Sequence, residues 1–252
     1  MKLIDTHAHY NSRKYPDRLP LLNEIHSHGV SYIVDVGTRI EEMQSSLNLT
    51  QLPFVYSAIG FFPRDVEQMK SKNNMKSFEQ YLKNPKVIML GEIGLDYHNN
   101  NISKELQKEY FKRQIDMAIE HNLPISIHSR DAKEDTMEII SGYDKLKGIV
   151  HCFAYDKNTA EFIISKGLHI GVGGTITYPN EILQEAISTI PLNKIVTETD
   201  APYLAPVPFR GKRNNSEFIK FVISKISELK AVSVQEVENT VYKNAIELLN
   251  FN

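Results

Sequence analysis

Short apolar runs alternate with amphipathic stretches along the whole chain. The runs cover Lys2–Thr6, Ser31–Val36, Phe54–Gly60, Val87–Glu92, Pro124–His128, Gly148–His151, Leu168–Gly173 and Lys194–Thr199. Helical spacing falls between them, at Leu19–His28, Glu105–His121, Ala132–Ser141, Thr159–Lys166 and Glu181–Ser188. The runs are near-continuously apolar rather than alternating, as strands buried on both faces of a parallel sheet must be. Eight such units predict an α/β fold, a (β/α)₈ barrel whose site lies at the C-terminal rim of the strands. Two further helices, Ser216–Leu229 and Val234–Leu249, close the chain, the second opening on Ser233 and Glu236 in capping-box spacing. Residues 202–215 are rich in Pro, Gly and basic side chains and read as a long loop over the barrel mouth. Asn99–Asn101 reads as a surface loop.

A length of 252 residues suits one barrel, so residues 1–252 are expected to form a single domain. The formal charge of −2 gives no global attraction for a polyanion, so any phosphate-binding surface must be a local patch. Cys152 stands alone, which excludes an intramolecular disulfide and suits a reducing cytosol. Neither a signal-peptide pattern nor an apolar run of membrane-spanning length is present. The expectation is a cytoplasmic monomer with no membrane association and no obligate protein partner.

Polar residues at the ends of the apolar runs carry the candidate chemistry. His7 and His9 are two apart on a strand, so both imidazoles face one side and can hold one cation. Asp5 shares that parity and is expected one layer below, fixing an imidazole. Glu92 ends a very apolar run, where an uncompensated carboxylate costs several kcal/mol of desolvation. A carboxylate can also bridge two cations through its two oxygens. His128 and His151 each end a strand, and Asp200 follows the last one, with Glu198 its competitor at the same parity.

Each residue alone has an ordinary explanation, as a core histidine or a paired carboxylate. Together His7, His9, Glu92, His128, His151 and Asp200 form the ligand set of a two-metal hydrolase, with Asp200 and Glu92 the catalytic carboxylates. Paired cations suit hydrolysis because they activate water and polarise the scissile bond. The mixed imidazole and carboxylate donors leave Zn²⁺, Mg²⁺ and Mn²⁺ open. Cys152 has the opposite parity to His151 and reads as a buried, inert thiol. His26, His28, His98, His121 and His169 fall outside the set. The Gly171–Gly174 segment is not a dinucleotide fingerprint; its glycines read as room for close backbone approach.

The motifs DTHAH, GEIGLDY, PISIHSRDA, HCF and ETDAPYLAPVPFRGKRN occur in an order that resembles the TatD family of metal-dependent deoxyribonucleases, over residues 2–250. The resemblance implies a TIM barrel with two divalent metals. His7, His9 and Asp200 would hold one, His128 and His151 the other, and Glu92 would bridge. It also implies hydrolysis of DNA phosphodiesters, often 3′→5′ from single-stranded or 3′ ends, with Asp200 as general base.

This chain departs from the family pattern around the ligands. Phe62 stands where a G-x-H-P histidine is usual, Arg64 replaces another histidine, Tyr10-Asn11 replace Leu-Asp, and Asn215-Ser216 replace Glu-Pro. Arg64, Arg130, Arg210, Lys212 and Arg213 are the candidate phosphate contacts, since guanidinium forks match phosphate bidentately. Phe62 and Tyr203 are candidate stacking surfaces for a base. The alternative electrophile is an ester or amide, including an aminoacyl ester, cleaved by the same centre. A non-catalytic metal-binding barrel is disfavoured because no ligand is missing.

Overall fold

A computed structural model describes residues 2–98 and 101–251. The expected loop at Asn99–Asn101 therefore lies mostly outside the described residues. Eight strands form one parallel sheet in sequential order: β1 (Leu3–Ala8), β2 (Val30–Gly37), β3 (Val55–Ile59), β4 (Val87–Asp96), β5 (Ile125–Arg130), β6 (Gly148–Val150), β7 (His169–Val172) and β8 (Ile195–Thr197). Between them run α1 (Arg18–Ser27), α2 (Ile40–Leu49), α3 (Lys72–Leu82), α4 (Lys104–Glu120), α5 (Lys133–Ser141), α6 (Lys157–Ser165) and α7 (Glu181–Thr189). The chain closes with α8 (Ile219–Lys230) and α9 (Val234–Leu249). This is the expected TIM barrel, and the main core lies between the strands and the surrounding helices. A second cluster joins Val34, Tyr56, Ala58, Ile149 and Val196 to Ala245, Leu248 and Leu249 of α9.

The seam between β8 and β1 is closed beyond the end of β8. Ala8 bridges Ala201 in parallel, the His9 amide donates to the Ala201 carbonyl at 2.7 Å, and the Asp200 amide donates to the His7 carbonyl at 2.9 Å. Among the described residues, no helix is long and apolar enough to cross a membrane.

Two helices escaped the hydrophobic pattern. On α2 the inward face carries Ser46, fully buried, whose hydroxyl meets the Asp35 carbonyl at 2.9 Å and the Ser57 hydroxyl at 2.7 Å. A polar residue in the core stripe erased its signal. On α3 only Phe78 and Leu82 are buried, and the helix starts on Ser71, which caps the Asn74 amide. The Ser233 cap forms as expected, accepting from the Glu236 amide at 3.1 Å.

Strand ends shift in ways that matter for the site. β1 continues to Ala8 and β4 to Asp96, whereas β8 stops at Thr197. Asp200 therefore lies three residues past the last strand, in the left-handed region with φ 54°. Asp is among the few residues that enter that region readily. The parity argument linking Glu198 to Asp200 consequently fails, because alternation holds only within a strand.

Candidate metal centre

All six expected ligands meet at the C-terminal rim. His7 Nε2 lies 3.3 Å from His9 Nε2, and His9 Nε2 lies 3.3 Å from Asp200 Oδ1. Glu92 divides its two oxygens. Oε2 is 3.6 Å from His7 Nε2 and 3.8 Å from His9 Nε2. Oε1 is 2.7 Å from His128 Nδ1 and 2.8 Å from His151 Nε2. Three donor groups result among the described residues, His7–His9–Asp200, Glu92–His128–His151 and His7–His151–Glu198, each with its ligand atoms within 4.8 Å of one another.

Each imidazole has its second nitrogen turned to another group. His7 Nδ1 meets Ser126 Oγ at 3.1 Å and His9 Nδ1 meets the Val36 carbonyl at 3.0 Å. His128 Nε2 is 3.4 Å from Asp96 Oδ2, and His151 Nδ1 is 3.6 Å from Glu198 Oε1. His7 and His9 are held as ligating histidines are, one nitrogen inward and the other hydrogen-bonded, whereas His128 Nε2 and His151 Nδ1 face their carboxylates without a hydrogen bond among the described residues. The residues present thus fit divalent cations.

The electrostatics agree with that fit. Burial alone would push the Glu92 carboxyl up, but His151 and His128 hold it well below the usual carboxylate range. Burial likewise opposes ionisation of Asp200, and His9 outweighs it. His9 is raised to about 9: burial works against its charge, but hydrogen bonding to Asp200 and the charges of Asp200 and Glu92 prevail. His7 is lowered by burial and by the charge of His151. Both carboxylates are therefore ionised at neutral pH, and a cation must displace the proton that His9 favours, while it meets a His7 already disposed to be neutral.

Asp5 does not fix an imidazole. Its buried carboxylate accepts from the His7 amide at 3.3 Å, the Thr199 amide at 3.0 Å, and the hydroxyls of Thr199 and Ser216 at 2.6 Å each. Ser216 in turn meets the Tyr10 hydroxyl at 2.8 Å. Asn214 ties the loop down by donating to the carbonyls of Thr199 at 2.9 Å and Tyr203 at 2.7 Å. The Tyr15 hydroxyl also donates to the Asn214 carbonyl.

The expected substrate contacts divide. Tyr203 is 44% exposed, its ring 6.4 Å from that of His9, so it is not buried under the loop. Phe62 is buried with its ring 4.7 Å from that of His128, and the Arg64 guanidinium lies 4.9 Å over it. It therefore has no open face for a base, although Arg64 is carried to the rim. Arg130 ends β5 in register with Asp96 and is exposed. The Arg210 guanidinium lies 4.6 Å over Tyr178. Arg213 is committed elsewhere, with both terminal nitrogens 2.8 Å from the Asp17 carboxylate.

Sequence reading missed Ser126, Asp96 and Lys14. Ser126 carried a usable signal, sharing β5 parity with His128 two residues on. Asp96 was hidden because β4 outlasts its apolar run. Lys14, whose Nζ lies 4.2 Å over Tyr203, had none. Cys152 is half-buried with φ 46°, and burial and the nearby Asp200, Glu198 and Glu92 push its thiol well up, which leaves it protonated and inert.

Residues 4–250 match the family described as TatD related DNase. The chain is 36% identical over 260 residues to an uncharacterized metal-dependent hydrolase of Bacillus subtilis, YabD, covering 99% of this chain and all of the other. It is 30% identical over 260 residues to the uncharacterized metal-dependent hydrolase YcfH of Escherichia coli, covering 100% of this chain and 97% of the other. Among solved structures, YjjV, a TatD homologue from Escherichia coli, superposes with a TM-score of 0.91 at 30% identity over 98% of each chain. The chain belongs to the TatD-related DNase family of metal-dependent hydrolases.

Proposed function

We propose that this protein hydrolyses phosphodiester bonds of DNA, working 3′→5′ from single-stranded or 3′ ends, with two divalent cations at the rim. The observation that carries this reading is Glu92, whose two oxygens reach two separate donor groups. His7, His9 and Asp200 would hold one cation, His128 and His151 the other. Such a pair polarises the phosphoryl group and stabilises charge on the attacking and leaving oxygens. The protein's own part is orientation and proton transfer. The Asp200 carboxylate, ionised and 18% exposed at the mouth, accepts the proton of the attacking water. Arg64 and Arg130 orient the phosphate, and Tyr203 offers its exposed ring to a base.

A second reading keeps the cations and changes the electrophile to an ester or amide. Phe62 favours it, because a buried aromatic ring against His128 gives one wall of the site no hydrogen-bond donor. End-labelled single-stranded DNA incubated with Mg²⁺, Mn²⁺ or Zn²⁺ separates the two. Metal-dependent shortening from the 3′ end, abolished in Asp200→Asn, is the expected result. No DNA cleavage alongside Asp200-dependent ester turnover would establish the second reading instead.

A further inference from the structure

The end of the barrel opposite the metal centre holds a cleft of about 770 Å³. Its walls come from the turns that lead into β6, β7 and β8 and from α9, so it faces away from the rim where the six ligands meet. Three lysines stand on those turns, Lys145 and Lys147 before β6 and Lys194 before β8. Among the described residues none of the three makes an ion pair. The carboxylate in the wall, Glu247, is 3.6 Å from Lys243 one turn away on α9, so its charge is already matched.

Elsewhere on the surface lysines sit against acids. Lys70 lies 2.7 Å from Glu67, Lys108 2.7 Å from Asp135 and Lys225 2.7 Å from Glu228. In a chain of formal charge −2, three unmatched cations around one cleft make the kind of local patch that phosphate binding needs. A cleft lined by one sign of charge focuses the field and concentrates counter-ions within it. The same wall contains His169, whose Nδ1 has no hydrogen-bond partner among the described residues. Burial and the Lys194 charge push its pKa down to about 4, so the ring is neutral at pH 7 and leaves the attraction to the lysines.

Size and lining narrow the ligand. The volume falls in the range of small-molecule sites, roughly 300–1,000 Å³. Leu146 and Leu248 supply apolar surface beside the cations. The lysines surround one cleft rather than follow a track, whereas a groove for a single strand carries its charge along the backbone path. We propose that this cleft binds a phosphate ester of nucleotide size, its phosphate among Lys145, Lys147 and Lys194 and its apolar body against Leu146 and Leu248. It is a binding site, remote from the reacting atoms, and it requires neither the cations at the rim nor the reaction proposed for them.

NMR titration of the full chain with AMP tests this, followed at the His169 ring signals, which His169→Gln identifies by their loss. Adenosine, inorganic phosphate and a single-stranded oligonucleotide serve as comparisons, and Lys147→Glu and Lys194→Glu as variants. The expected result is a saturable shift of the His169 signals with AMP. Each charge reversal should weaken it about 10-fold or more, the worth of one charge-assisted contact, and adenosine and phosphate should each bind more weakly than AMP. No shift at millimolar AMP would overturn the inference, as would a shift that neither reversal weakens. Adenosine or phosphate binding as tightly as AMP would overturn it too, because the cleft would then hold only one part of the ligand. An oligonucleotide that binds more tightly than AMP and loses affinity in the same variants would make the face a nucleic-acid surface instead. Should Lys194→Glu not fold, as judged by circular dichroism, Lys147→Glu decides, since its side chain is exposed.

Discussion

Around Glu92, His128 and His151 the backbone is a ladder, with β4 paired to β5 from Leu90 to Asp96, its register shifting at Glu92 itself, and β5 to β6 up to Val150. Around His7, His9 and Asp200 the ladder holds on one side and runs out on the other: β1 pairs β2 as far as Ala8, but β8 ends at Thr197 and an isolated bridge joins Ala8 to Ala201 across the seam. Across that seam two backbone hydrogen bonds are joined by side chains, chiefly the Asp5 carboxylate, which collects His7, Thr199 and Ser216. One half of the centre is thus flanked by paired strands on both sides, and the other leans on a buried polar network across the open seam. Pairing distributes its constraint over many weak bonds, whereas a network concentrates it in a few groups whose loss leaves partners unsatisfied. The halves should therefore respond differently to single substitutions.

Glu92 is the residue they share, and its replacement should have the largest effect. Glu92→Gln is expected to weaken both cation-binding steps and to lower turnover on the order of 10³-fold or more, since ligand and charge are lost together. Elemental analysis of the dialysed protein checks the first part. Retention of one cation at wild-type affinity would show that the halves load independently. Asp200→Asn belongs to the network half alone. Turnover should fall about 10²–10⁴-fold, the usual worth of a positioned proton acceptor. Mn²⁺ binding by the His128–His151 half should survive, a pattern that calorimetry reads without any substrate.

Stability probes the comparison more directly. Asp5→Ala strands two amides and two hydroxyls in a buried seam, and about 3 kcal/mol of unfolding free energy should go with them. Ser126→Ala, in the ladder half, removes one hydroxyl behind His7 and should cost about 1 kcal/mol. Urea unfolding of the metal-free proteins measures both. Equal losses would mean that the seam is no more dependent on its network than β5 is on Ser126.

The same division governs what could be read in the sequence. His128, His151 and Glu92 announced themselves because each closes an apolar run of the sequence, although β4 and β5 continue past Glu92 and His128. Asp200 was found because it follows the last apolar run near the rim; what the sequence did not show is that β8 ends three residues before it and a left-handed backbone aims it. Asp5 and Ser216 lie 211 positions apart, and nothing in local patterning says that they meet. Asp96 was invisible because its strand continues past the apolar run that marked it. The α2 helix was lost for a related reason, a serine in its buried stripe. Sequence periodicity reports which side faces the core; it carries no information on which distant hydroxyl completes a buried carboxylate.

Acid titration requires separating a group that belongs to neither half. His169, at the start of β7, has its pKa pushed down to about 4 by burial and by the nearby Lys194 charge, against 6.5 ordinarily. The unfolded chain therefore binds a proton there between pH 6.5 and 4 that the folded chain refuses. The stability from keeping this imidazole neutral is complete above the upper value and is lost as pH falls through the lower one. His169→Gln removes that contribution, so its unfolding free energy should decline less steeply than wild type over this window, measured by urea unfolding in steps of pH. If the two slopes coincide, His169 is not the source, and the acid sensitivity belongs to the imidazoles of the centre, with His7 the first candidate because burial also lowers its pKa.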